Sequence, residues 1–123
     1  MNDAYSELPI FAKTFDFVVW LTPLTNHFPR VHRHTITQRL LQATLDFQES
    51  LLIANTLRGQ LRLAQLQTAD AHLDKVRLYL RLVHQWRWIN PGQYEHASRL
   101  IAEIGRLLGG WQRVTTDKAK TPS

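Results

Sequence analysis

Apolar residues recur at steps of three and four along most of the chain, and no stretch sustains period-two alternation, so the pattern predicts helices and no strands. The most regular run predicts a helix over residues 61–89. In it Leu66, Leu73 and Leu80 repeat every seven residues, as do Ala69, Val76 and Val83 three places later, giving a two-row seam. A helix over residues 35–57 carries Ile36, Leu40, Ala43, Phe47, Leu51 and Ala54 on one face, with Leu41, Leu45 and Leu52 away from it. Toward the C-terminus Tyr94, Ala97, Ile101, Ile104, Leu108 and Trp111 form an unbroken seam over nearly five turns. A first helix is expected over residues 10–27, where Phe11, Phe15, Val18 and Thr22 share a face with Val19 beside it, while Lys13, Asp16 and Asn26 look outward. Pro23 lies inside that run and predicts a kink or an early stop.

Joints between these runs have recognisable chemistry. Phe28-Pro29-Arg30 is the first corner, and in Arg58-Gly59-Gln60 the glycine suits a C-terminal cap. Asn90-Pro91-Gly92 both ends the third helix and starts the fourth, since Asn90 can cap and Pro91 fits the first helical position. Gly109 and Gly110 either end the fourth helix or let another backbone come close, and both readings stay open. Residues 1–9 read as a flexible arm and residues 114–123, with no periodicity, as a disordered tail. Residues 10–113 then make one all-α domain, an up-down-up-down four-helix bundle.

One helix has more apolar surface than a bundle needs. Leu78, Leu82, Trp86 and Ile89 fall roughly opposite the seam of the third helix, which implies self-association. At about 25 cal/mol per Å² a few such side chains per subunit stabilise an interface by several kcal/mol, before the cost of association. Arg87 falls in line with Leu73 and Leu80, where its stem would cover the core edge and its head reach out.

Composition narrows the class. Absence of cysteine excludes disulfides and thiolate metal sites and fits a reducing cytoplasm. Residues 15–21, the one sizeable apolar run near the N-terminus, are interrupted by Asp16 and too short to span a bilayer, so a soluble, cytoplasmic protein without a membrane partner is expected. The formal charge is +5, and arginine supplies 11 of the 15 cations. Residues 1–57 hold four cations against five anions, whereas residues 75–113 hold seven cations against only Glu95 and Glu103. Such a surplus on one part of a small domain is the footprint of a polyanion partner, or else a solvated surface.

Catalytic chemistry finds little support. Asp46 and Glu49, or Asp70 and Asp74, have spacings common on solvated helix faces; no nucleophile sits in a glycine-flanked elbow, and phosphate-loop and dinucleotide fingerprints are absent. Neither a cofactor nor a small-molecule substrate is implied. His27, His32 and His34 cluster at the first corner, but beside arginines that would repel a metal ion; His32 and His34 with Arg30 and Arg33 read as a basic patch. On the third helix Arg77, Arg81, His84 and Trp88 step by four, three and four residues along one face, and Arg99, Arg106 and Arg113 make a second ridge at intervals of seven. Arginine rows with indoles nearby suit phosphate contact and base stacking. The same arginines could instead pair across the helices with Asp70, Asp74, Glu95 and Glu103.

Most of the chain resembles a known family. The likeness rests on Trp20-Leu21, Phe28-Pro29-Arg30, Arg39, Ala54, the run from Leu73 to Arg81, Gln93-Tyr94-Glu95, and Glu103-Ile104-Gly105-Arg106 with Gly109-Gly110-Trp111. These residues are similar to those of the accessory variability determinant (Avd) proteins of diversity-generating retroelements, four-helix bundles whose wider group includes proteins encoded in 23S rRNA intervening sequences. The resemblance implies a homopentameric, barrel-like ring with a basic surface and no catalytic residues. Such a ring partners the element's reverse transcriptase, binds RNA or DNA, and supports error-prone copying of template RNA into cDNA. Leu108, where methionine is expected, and the glycine in Arg58-Gly59-Gln60 depart from the family pattern. The alternative within the same group is a structural oligomer or adaptor of the intervening-sequence type with no polymerase partner.

Overall fold

A computed structural model describes residues 8–120, which fold as four helices. They are α1 (Pro9–Leu24), α2 (Gln38–Thr56), α3 (Gly59–Gln85) and α4 (Pro91–Lys120). Each packs on its neighbours in the cycle α1, α2, α3, α4 and back to α1, with α2 against α3 the most extensive pairing. Between α1 and α4, Phe11 meets Trp111 edge-on at 5.8 Å, Lys13 approaches Glu103 at 3.5 Å, and Trp20 packs on His96 at 4.8 Å. Those partners run in opposite order along the two helices, so the pair is antiparallel. There is no strand among the described residues, and none of their helices is long and apolar enough to cross a membrane. The first seven residues of the expected arm and the last three of the expected tail lie outside the described residues.

The seams of the last three helices form the core. Leu40, Ala43, Phe47, Leu51 and Ala54 of α2 are buried against Leu66, Ala69, Leu73, Val76, Leu80 and Val83 of α3, and Ala97, Ile101, Ile104 and Leu108 of α4 close the other side. Helix α1 departs from the expectation. Its buried face is Ile10, Phe11, Thr14, Phe17 and Leu21, whereas Phe15 and Val19, read as core, are 54% and 56% exposed. The run is apolar nearly all round, so periodicity could not set its phase; packing against α2 and α4 did. Thr14 is buried with a hydroxyl that has no hydrogen-bond partner. Replacing it by isosteric valine removes an unpaired polar group, and Thr14→Val is expected to raise stability by about 1 kcal/mol. Denaturant titration of both proteins checks this, and a loss of stability would mean that the hydroxyl is satisfied in solution.

The joints differ in how closely they follow expectation. Pro23 lies one residue before the end of α1, after which short helical turns at Thr25–His27, Arg30–His32 and a π-type turn at Arg33–Thr37 lead into α2. Gly59 does adopt a left-handed conformation (φ 57°), but it opens α3 instead of closing α2. Asn90 caps α4 reciprocally: the Gln93 N–H donates to Asn90 Oδ1 at 2.7 Å, and the Asn90 N–H donates to Gln93 Oε1 at 2.9 Å.

Helix α3 stops earlier than the expected residue 89. Its end is a Schellman turn, in which Arg87 N–H donates to the His84 carbonyl at 3.0 Å and Trp88 N–H to the Val83 carbonyl at 2.8 Å. Arg87 occupies the left-handed position (φ 62°) that glycine usually takes, so it lies exposed in the turn and not along the core edge. The turn swings Ile89 into the core at 3% exposure. Ile89 therefore does not share an outer face with Leu78, Leu82 and Trp86.

Helix α4 does not stop at Gly109-Gly110. It continues through both glycines to Lys120, so residues 114–120 are helical where a disordered tail was expected. Packing explains the continuation. Leu108 is buried, Trp111 packs against the core, and Thr115 is buried with its hydroxyl donating to the Trp111 carbonyl at 2.7 Å. This continuing seam outweighs a propensity cost of about 1 kcal/mol per glycine.

Candidate nucleic-acid interface

The side of the bundle formed by α3 and α4 carries Arg77 and Arg81 from one helix and Arg99 and Arg106 from the other. A small groove of about 240 Å³ lies between the two helices, lined by Arg77, Leu80 and Arg81 from α3 and by Tyr94, Ser98, Ile101 and Ala102 from α4. The same alternation of threes and fours that buries Val76, Leu80 and Val83 leaves Arg77 and Arg81 at the rim. Just beyond them His84 stacks on Tyr94, with ring centroids 4.1 Å apart and planes 9° from parallel. Trp88, expected at the end of this stripe, has turned away with the Schellman motif. It joins Phe28, His32 and Trp86 at the bundle end, stacking on His32 at 5.2 Å.

Arg77 is held in place by two features. Its Nη1 donates to Asp74 Oδ1 at 2.7 Å, and its guanidinium lies across Gly105 of α4. A Cβ built at Gly105 would stand 2.6 Å from Arg77 Nη2. Glycine here is a seat for the guanidinium. Gly105→Ala is therefore expected to act in opposite directions: helix propensity raises stability by about 1 kcal/mol, while the displaced Arg77 head weakens binding at this groove. Thermal unfolding and an RNA titration read the two effects; higher stability with unchanged affinity would remove any role for the seat.

Arg99 follows the groove-lining Ser98 by one residue and Arg106 lies one turn beyond Ala102, so the α4 ridge flanks the groove opposite Arg77 and Arg81. The alternative, cross-helix pairing of these arginines, is not what forms. Arg77 pairs with Asp74, Arg99 with Glu95 at 3.7 Å and Arg106 with Glu103 at 3.8 Å, each within its own helix. Exposed pairs of this type contribute about 0–1 kcal/mol, so phosphate can displace them. Arg81 has no ion pair among the described residues. No carboxylate occurs in the sequence between Asp74 and Glu95, so nothing of opposite sign interrupts the surface of α3 beyond Asp74.

The remaining three candidate residues are brought elsewhere. Arg30 and Arg33 lie at the end of the bundle where α1 passes into α2, along an open groove of about 550 Å³ that also includes Pro29, His34 and Gln38. Arg113 lies toward the opposite end, beside the start of α1, together with Arg106. Thus Arg77, Arg81, His84, Arg99 and Arg106 share one side, and Arg30, Arg33 and Arg113 sit at its two ends. Three further cations share the end that holds Arg113: Arg58 and Arg62 join it through the chain's tertiary path, and Lys118 through the continuation of α4. Among the described residues no group of three or more His, Cys, Asp or Glu side chains could hold a metal ion.

Of the expected interface residues, Leu78 and Trp86 are 53% and 46% exposed, and Leu82 is partly buried. Phe15 and Val19 of α1 add an exposed apolar strip that the sequence reading had placed in the core.

Comparison with known proteins agrees with this architecture. The sequence model of the family described as bAvd-like matches residues 9–115. A crystal structure from Bacteroides thetaiotaomicron, described as a protein of unknown function from the S23 ribosomal protein family, superposes with a TM-score of 0.75 at 17% identity. The match covers 84% of this chain and 97% of that one, and at this identity it shows the fold. No curated protein matches the sequence.

Proposed function

The chain belongs to the bAvd-like family of retroelement accessory proteins, and from that premise we propose that it is a non-catalytic subunit that binds nucleic acid and a reverse transcriptase. The RNA template or its cDNA lies along the α3/α4 side, with phosphates against Arg77, Arg81, Arg99 and Arg106. The observation that carries this reading is the pair of cationic rows flanking one groove, with Arg77 seated over Gly105 and no carboxylate in the sequence between Asp74 and Glu95. Phosphate contacts of this kind bind with little sequence preference and strong salt dependence. That suits a protein that must follow a template of any sequence. His84 and Tyr94, stacked beside the groove, offer a ring edge to bases without providing any acid-base pair.

The chain acts as a homo-oligomeric ring, a pentamer in the form the family resemblance implies. Exposed Leu78 and Trp86 on α3 and Phe15 and Val19 on α1 supply apolar area on different helices. Two such surfaces allow head-to-tail contacts, which close into rings. Co-expression with the element's reverse transcriptase tests the reading: the polymerase is expected to co-purify with the chain in high salt. Failure of the two to associate would favour a second reading, a structural oligomer of the intervening-sequence type. The fold shared with the S23-family structure supports that second reading.

A further inference from the structure

We propose that the groove where the end of α4 overhangs the start of α1 is a docking site for an acidic peptide segment of a partner protein, one that also carries bulky apolar side chains. The groove is formed by α1, the α2–α3 joint and the last turns of α4, and it measures about 1060 Å³. That is at the upper limit of small-molecule pockets, which run to about 1,000 Å³, and it suits a length of chain. Five cations line it, Arg58, Arg62, Arg106, Arg113 and Lys118, and none of its lining residues is a carboxylate. Between the cations lie Leu107, Trp111 and Val114, the last 51% exposed.

Arg62 is fixed as an anchor. Its Nε donates to the Ala54 carbonyl at 2.9 Å and its Nη2 to the Asn55 carbonyl at 3.3 Å, and its guanidinium lies 5.6 Å from the centre of the Trp111 ring. Burial, and secondarily the charge of Arg58, make its cationic form less favourable than usual. A carboxylate entering the groove would relieve that imbalance, and its neighbouring apolar side chains would cover Leu107 and Val114. Nucleic acid fits less well. Trp111 already holds Arg62 on one face and meets Phe11 at 5.8 Å, so a base finds little free indole, and a sugar-phosphate chain would lie against aliphatic side chains. This inference shares only Arg106 with the nucleic-acid reading of the α3/α4 side, and Arg58, Arg62, Arg113 and Lys118 belong to this groove alone.

Fluorescence anisotropy with the full chain tests it, using a labelled synthetic peptide that alternates glutamate and leucine and a control that alternates glutamate and serine. The glutamate–leucine peptide is expected to bind at least about tenfold more tightly than the control, and more weakly as salt rises. Arg58→Glu combined with Lys118→Glu should weaken that binding at least about tenfold while leaving single-stranded RNA affinity within about threefold. Val114→Glu, which keeps all five cations, should also weaken it. Absence of peptide binding at low salt, or equal affinity for the two peptides, would overturn the proposal. A double variant that loses RNA and not peptide would assign the groove to nucleic acid, and one that changes the solution mass would assign it to a second copy of the chain; either result overturns it too.

Discussion

Reversing Arg77 and Arg81 to glutamate lowers affinity for single-stranded RNA by about 100-fold at moderate salt and leaves the helical fold intact. The magnitude follows from charge. Two cations at the groove rim become two anions, and on the order of tenfold per reversal is what the loss of a phosphate contact plus a new repulsion produces. Salt dependence should change with it, because each lost phosphate contact flattens the plot of log affinity against log salt by about 0.7. Stability is expected to change little. Arg81 is exposed, Arg77 keeps only its pair with Asp74 and its place over Gly105, and a new i,i+3 repulsion costs a few tenths of a kcal/mol. Electrophoretic mobility and circular dichroism on the same samples separate the two effects. Lost binding with lost helicity would mean that the arginines hold the bundle together, and retained binding would move the interface away from this groove.

Leu73→Ala and Leu78→Ala, five positions apart on one helix, are expected to have opposite consequences. Leu73 is 1% exposed at the centre of the α2/α3/α4 core, and its truncation leaves a cavity that costs about 2–5 kcal/mol. That is a large share of the roughly 5–15 kcal/mol by which a domain of this size is stable. Leu78 is 53% exposed, and its truncation should change monomer stability by less than about 0.5 kcal/mol. In the ring proposed above its effect belongs to assembly: Leu78→Ala, and more strongly Leu78→Ser with Trp86→Ser, should reduce the mass measured by light scattering. A folded double variant with unchanged mass would leave the strip of Phe15 and Val19 as the surface on which copies meet.

Three of the four helices were legible in the sequence because each carries an unbroken apolar seam at steps of three and four. Leu66, Leu73 and Leu80, or Ala97, Ile101 and Ile104, leave only one way to face a core. Helix α1 was not legible in the same sense. Phe15, Phe17, Val18, Val19 and Trp20 surround it with apolar side chains, so its phase depended on neighbours that periodicity does not contain. The ends were harder still. Gly109-Gly110 has the composition of a helix stop, yet the seam through Leu108, Trp111 and Thr115 carries α4 past it. Ile89 could be placed only once the turn at Arg87 was known, since one residue at φ 62° redirects everything after it.

The candidate site shows the same division. Arg77 and Arg81 could be read as a stripe because four residues make one helical turn. That Gly105 would cradle Arg77, or that Arg58 and Arg62 would meet Arg113, depended on helix packing at long sequence separation, and Lys118 joined them because α4 continues past Gly109-Gly110. The glycines of α4 also take on a different meaning. Only Gly105 marks a close approach, with Arg77 lying over it, whereas a Cβ at Gly109 or Gly110 would make ordinary contact with the Arg113 guanidinium.

The most direct measurement is a titration of labelled single-stranded RNA with the full-length chain over a series of salt concentrations, repeated with Arg77→Glu/Arg81→Glu. Binding that weakens steeply with salt, and a flatter slope with about 100-fold lower affinity in the variant, is the predicted result. No binding at low salt, or a slope and affinity unchanged by the reversal, would contradict a nucleic-acid role for the α3/α4 groove.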